Sequence, residues 1–260
     1  MAEPVYRLRL HSTSFIVIPA RLASTRLPRK LLLAETGKSL LHHTFEAASG
    51  ATKPVGICVA ADDEEIANEV RHFGGEVIMT DPRAASGTDR VAEVAEQLSH
   101  VDIIVNVQGD EPELKGESID FVIELLESDP LADIATLAAP IRSLEMLHDP
   151  SCVKVVFDQG HRALYFSRSA IPHVGNGDTL LTNENPAQFY QHIGIYAYRR
   201  EFLLKLAKMQ RSSLEQMENL EQLRALQSGH MIAVGVIDAP TIGIDTPEDY
   251  SAFVSRTLKQ

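Results

Sequence analysis

Short, wholly apolar runs alternate along this chain with longer stretches whose apolar positions recur at helical spacing. Residues 14–20, SFIVIPA, are rich in β-branched residues and continuously apolar, which predicts a strand buried on both faces. Residues 39–50 carry Leu40, Leu41, Phe45 and Ala48 on one side and predict a helix. A second strand is expected over 55–61. Asp62 then reads as an N-cap, with Glu65 in box-like position, for a helix ending near Gly74. A short strand over 76–80 precedes SGTDRVAEVAEQL, where Ser86 and Asp89 have capping-box spacing. Residues 102–107, DIIVNV, predict another buried strand, which stops at Gln108-Gly109-Asp110-Glu111-Pro112; a helix is expected over 117–127. This alternation predicts an α/β fold with a mostly parallel sheet and helices on both faces. In such sheets ligands bind beyond the carboxyl ends of the strands.

The second half is richer in strands. Residues 134–140, 153–158, 163–167 and 193–198 read as strands, and 174–186 as a Gly/Asn-rich surface loop. One helix is expected to open at Ser213, with Gln216 at capping-box spacing and an apolar stripe of Leu214, Met217, Leu220, Leu223 and Leu226. A strand over 231–238 and a helix with Thr246 as N-cap and Pro247 at its first position complete the chain. The expectation is a single domain over 1–260. Residues 1–13 form an extension, and about 134–200 add a smaller sheet to the same unit.

Composition narrows the function. The chain has 260 residues, 44% hydrophobic and 23% charged, as for one folded soluble unit. A net charge of -12 argues against nucleic acid or a membrane surface as partner. No run approaches the roughly 20 apolar residues of a membrane span, and the N-terminus has no apolar signal core. Cys58 and Cys152 sit in apolar runs and read as buried, reduced thiols. A cytoplasmic location is expected. Against this acidic background, residues 4–34 contain no acidic residue but hold Arg7, Arg9, Arg21, Arg26, Arg29 and Lys30. That contrast suggests a pocket for a small anion, although by composition alone an ordinary solvated surface patch is the plainer reading.

Three places carry candidate chemistry. The loop from Arg21 to Lys30 leaves a buried strand bearing three arginines and a lysine, whose forks and point charge suit a phosphate chain. Ser24 and Thr25 add hydroxyls. The loop is not a GxxxxGK[ST] P-loop. Asp110 ends a buried strand beside a glycine, and Asp245 lies just before the final helix; with a triphosphate, either would suit Mg²⁺. Taken alone, each also reads as an ordinary turn or helix-end acid. His192 and Tyr196, four apart in a strand, face one side and with Arg168 could wall a polar pocket. Glu221 and Gln222 interrupt a leucine-rich helix, where a solvated face is the plainer reading.

These blocks together resemble the 3-deoxy-manno-octulosonate (Kdo) cytidylyltransferases. The resemblance rests on Ile18-Pro19-Ala20-Arg21, Ser24-Thr25-Arg26-Leu27-Pro28 with Lys30, Ser86-Gly87-Thr88-Asp89-Arg90 and Asn106-Val107-Gln108-Gly109-Asp110-Glu111-Pro112. It continues through Tyr165-Phe166-Ser167-Arg168, His192-Ile193-Gly194-Ile195-Tyr196, Leu220-Glu221-Gln222-Leu223-Arg224 and Asp245-Thr246-Pro247-Glu248-Asp249. It spans about residues 14–250. It implies a nucleotide-diphospho-sugar transferase fold, a homodimer joined through the strand-rich half, and the Mg²⁺-dependent reaction of CTP with Kdo to CMP-Kdo and pyrophosphate. By resemblance, Arg21 and Lys30 hold the phosphates, and Asp110 and Asp245 ligate the metal; these four are the catalytic set. Pro19, Ala20, Ser24, Ser86, Gly87, Thr88, Arg90 and Gln108 complete the nucleotide site. Arg26, Arg168, His192, Tyr196, Glu221 and Gln222 surround the sugar. Two departures stand out: Arg29, where the family commonly has glycine, and Ala84-Ala85, where it commonly has His-Gln. The Arg29 side chain is expected to point to solvent. An 8-amino-Kdo or sialic acid substrate, and a catalytically silent relative, are the competing readings.

Overall fold

The computed structural model describes residues 12–24, 26–173, 187–238 and 243–259. The loop expected over 174–186, Thr25 and most of the N-terminal extension lie outside them. Among the described residues nine strands join one sheet. Strands β1 (Ser14–Ala20), β2 (Ile57–Ala61), β3 (Val77–Met79) and β4 (Ile103–Asn106) are parallel, in the order β3-β2-β1-β4. Next to β4 runs antiparallel β8 (Tyr190–Arg199), then β5 (Ile134–Pro140), with β9 (Ile232–Val236) parallel to β5. The strand-rich middle is therefore spliced into the main sheet. Only the hairpin of β6 (Lys154–Phe157) and β7 (Ala163–Ser167) branches off, through β6 onto β8.

Both faces of the sheet are buried, as the unbroken apolar strands require. Along β1, Ile16, Ile18 and Ala20 enter one core while Phe15 and Val17 enter the other. The first core is closed by α1 (Leu40–Ser49), α2 (Glu64–His72), α4 (Gly116–Ser128) and α9 (Pro247–Thr257). On the opposite face lie α3 (Gly87–Gln97), α6 (Arg200–Leu206) and α8 (Gln222–Gln227). Cys58 and Cys152 are buried and free; burial pushes the Cys58 thiol up to about 12, so it stays protonated. No described helix is long and apolar enough to cross a membrane.

Two local expectations are corrected. The cap of α2 is Asp63, whose carboxylate accepts from Glu65 N; Asp62 instead turns toward the loop after β1. The helix expected from Ser213 is two: α7 (Ser213–Glu218), capped by a full Ser212/Glu215 box, and α8. Asn219, in the left-handed region at φ 53, breaks them apart. The leucine stripe is broken with it, and Met217 is 73% exposed. Two short helices, α5 (Leu144–His148) and α6, and a 3-10 turn at Lys30–Leu32 were not anticipated from the apolar periodicity.

Candidate active site

Beyond the carboxyl ends of β1 and β4 lies a cleft of 590 Å³, with an adjoining recess of 190 Å³. The recess is floored by a charge cluster. Lys30, 8% exposed, donates from Nζ to Asp110 Oδ2 at 2.6 Å and Asp245 Oδ1 at 2.9 Å. Arg26 Nη2 reaches the same Asp245 oxygen at 2.9 Å. Burial alone would lower the Lys30 pKa, but the two aspartates outweigh it and the net shift is upward, so the ammonium stays charged.

Backbone geometry explains how such distant residues meet. The 3-10 turn aims Lys30 at the strand ends. Gly109 lets the β4 loop approach β1 closely: a Cβ there would lie 3.2 Å from the Pro19 carbonyl oxygen and 3.3 Å from the Leu31 side chain. Thr44 of α1 donates to the Gly109 carbonyl at 2.9 Å. Ile244 N donates to Asp110 O at 2.9 Å, which ties the two aspartate segments together. Asp249 completes the arrangement, accepting from Asp245 N and Thr246 N at 3.1 and 2.9 Å.

One rim of the cleft is built from β1 and α3. Pro19, Ala20 and Arg21 line the cleft, as do Ser86, Gly87, Thr88, Arg90 and Gln108; Ser24 lines the recess. Ala84 and Ala85 border the cleft too, so that departure from the family pattern lies within the site. Arg90 is 4% exposed, and its guanidinium donates to Thr80 Oγ1, the Asp81 carbonyl and Asp62. Its hydrogen bonds thus hold the rim itself. Arg29 lines neither cavity; its guanidinium pairs with Glu65 on α2.

At the other end stand Arg168, His192, Tyr196, Glu221 and Gln222, with Arg26 toward the recess. The α7–α8 break delivers Glu221 and Gln222 here. Gln222 is 5% exposed, and its Nε2 is a buried donor with no partner among the described residues, a group that a ligand acceptor would satisfy. Arg168 donates to the carbonyls of Glu218, Pro150 and Asn219 at 2.9, 3.0 and 3.4 Å, so it braces the wall it lines. The structure adds Asn106, Tyr198 and Arg211 to the cleft. Asn106 Oδ1 accepts from Gln108 Nε2 at 3.1 Å. Tyr198 was within reach of sequence reasoning, since it continues the every-second-residue face of Tyr196.

A mostly parallel sheet that offers a basic loop and an acid pair beyond the carboxyl ends of its strands is the arrangement of an α/β enzyme for nucleotide substrates. The sequence model of the cytidylyltransferases matches residues 15–232, and the chain belongs to that family. A 3-deoxy-manno-octulosonate cytidylyltransferase of Rhodopirellula baltica is 51% identical over 94% of this chain and 98% of its own. An 8-amino-3,8-dideoxy-manno-octulosonate cytidylyltransferase of Shewanella woodyi is 46% identical over 93% of this chain and 97% of its own. A solved CMP:2-keto-3-deoxy-manno-octonic acid synthetase complexed with CTP has a TM-score of 0.88 at 38% identity, covering 95% of this chain and 99% of that one.

Proposed function

We propose that the chain transfers CMP from CTP to Kdo, releasing pyrophosphate. The observation that carries this reading is the Asp110–Lys30–Asp245 cluster. It lies between a basic nucleotide rim and a wall bearing His192, Tyr196 and the unsatisfied amide of Gln222. Arg21 and Lys30 hold the phosphates, and the Ser86–Arg90 rim with Gln108 encloses the cytidine. The sugar lies against Arg26, Arg168, His192, Tyr196, Glu221 and Gln222.

Two carboxylates bonded to one lysine are close enough to share a cation, and hard oxygen donors suit Mg²⁺. Asp110 and Asp245 would hold it; when bound, it supplies neutralisation of phosphate charge and acidifies a bound hydroxyl. The protein's own work is placement. The anomeric oxygen of the sugar forms a bond to the α-phosphorus, the bond from that phosphorus to the bridging oxygen breaks in line, and the electron pair leaves with pyrophosphate. The hydroxyl proton is released. Lys30 and Arg21 offset the charge that gathers on the phosphates, the dominant contribution in such transfers.

The enzyme is further read as a cytoplasmic homodimer joined through its strand-rich part. Support comes from the two free thiols and from Leu164, 61% exposed on edge strand β7. A second reading replaces the sugar's 8-hydroxyl with an amine. The name of the Shewanella woodyi relative favours it, as does a carboxylate, Glu221, at the sugar end. Product analysis tests the main reading. CTP, Kdo and Mg²⁺ should give CMP-Kdo and pyrophosphate in equal amounts, and Asp110→Ala should abolish both in a folded protein. Full activity of Asp110→Ala with unchanged Mg²⁺ dependence would reject the role assigned to the acid pair.

A further inference from the structure

Thr136 is a fully buried hydroxyl in the otherwise apolar strand β5. It sits where the β5–β8 register is irregular: Thr136 pairs with Tyr196 but Leu137 with Ile193, so β8 carries extra residues at this point. The hydroxyl oxygen is 2.7 Å from the Ile195 carbonyl oxygen, 3.2 Å from that of Ile193 and 2.9 Å from His192 Nε2.

A hydroxyl has one hydrogen and two lone pairs. Carbonyl oxygens only accept, so the hydrogen must point at them; an oxygen–oxygen approach of 2.7 Å without it would set lone pair against lone pair. Thr136 is then an acceptor toward the imidazole, and the hydrogen between them belongs to Nε2. The ring is held from the sides as well, edge-on to Phe166 at 5.1 Å and tilted against Tyr196 at 5.3 Å. Burial pushes the His192 pKa down to about 3, so the ring is neutral and its second nitrogen carries no proton. His192 lines the cleft, and no described group bonds Nδ1.

We infer that Thr136 is a positioning residue: it fixes His192 as the Nε2–H tautomer and leaves a bare Nδ1 to accept a hydrogen bond from a sugar hydroxyl. This rests on the acid-sugar reading of the site, but the tautomer itself does not. The preference matters because it decides whether the ring offers the cleft an acceptor or a second donor: with Nδ1 bare, a sugar hydroxyl can donate to His192 while its lone pairs accept from a donor such as Gln222 Nε2.

The test has two arms. Nitrogen-15 spectra of the histidine rings, with His192 assigned through His192→Asn, are recorded on the sugar-free protein near neutral pH. The expected pattern is a protonated Nε2 and an unprotonated Nδ1, which Thr136→Val should disturb. In the kinetic arm, Thr136→Val should raise KM for the sugar about tenfold, as for one lost hydrogen bond in the site. KM for CTP should stay unchanged, and Thr136→Ser should restore the sugar KM. A protonated Nδ1 in the unaltered protein would overturn the proposal. So would a Thr136→Val enzyme with unchanged sugar KM, or with both KM values raised equally. If Thr136→Val fails to fold, the spectrum of the unaltered protein and the Thr136→Ser kinetics decide. Correct tautomer but no turnover of any acid sugar would count against the substrate reading and leave the tautomer assignment supported.

Discussion

Arg29 turns its guanidinium away from the cleft and onto Glu65 of α2. Its backbone is left-handed, with φ 54, a conformation that favours glycine. The exposed pair contributes little, while relief of the left-handed strain is worth about 1 kcal/mol. Arg29→Gly should therefore leave kcat and KM for CTP unchanged, with stability altered by no more than about 1 kcal/mol. Steady-state kinetics and a melting curve check this. A large rise in KM for CTP would show that Arg29 holds phosphate after all.

Asp62 brackets Arg21. Its backbone N donates to Ala20 O at 3.3 Å, and its carboxylate accepts from Leu22 N at 2.9 Å and from buried Arg90 at 3.4 Å. Asp62→Ala should raise KM for CTP about tenfold, the scale of one charge-assisted hydrogen bond lost. KM for the sugar should change much less, and Asp62→Asn, which keeps an acceptor for Leu22, should fall between. Equal effects on both substrates would contradict this positioning.

Glu215 and Arg224 form a buried bidentate pair, at 2.6 and 2.8 Å, across the turn that carries Glu221 and Gln222. Glu215→Ala leaves the Arg224 charge buried and alone, and should destabilise the fold by roughly 3–5 kcal/mol. Removing both charges, as in Glu215→Leu with Arg224→Met, should recover much of that loss. Denaturant unfolding of the single and double variants measures it.

The pH dependence of stability follows from His192. Burial lowers its pKa from 6.5 to about 3, so the fold favours the neutral ring. That contribution is complete above about 6.5 and is lost as the pH falls toward 3. Stability should decline through this window, and less steeply in His192→Asn. Identical acid profiles for the two proteins would show that the ring is not buried neutral.

Much of this architecture is written in local sequence. β1, β5 and β7 have the bounds their apolar runs suggest, and Ser86 and Thr246 cap the helices expected of them. The misses have physical causes. Asp62 and Asp63 are equal as caps until the fold offers one of them Leu22 N. The leucine period runs on through Asn219, and nothing local reveals its left-handed turn. Arg90 and Arg168 line the cleft as expected, but nothing local showed that their guanidinium groups also brace its walls through bonds to the protein itself. Thr136 was hidden in an apolar strand; a lone hydroxyl in such a run was the available signal.

Joining CTP to an acid sugar is the reaction proposed for this cleft. The direct measurement is pyrophosphate release with Mg²⁺ and a panel of Kdo, 8-amino-Kdo and sialic acid, with UTP and ATP in place of CTP as controls. Release is expected with CTP and Kdo, little with the other nucleotides, and none without sugar. A folded protein that binds CTP but releases no pyrophosphate with any acid sugar would contradict it.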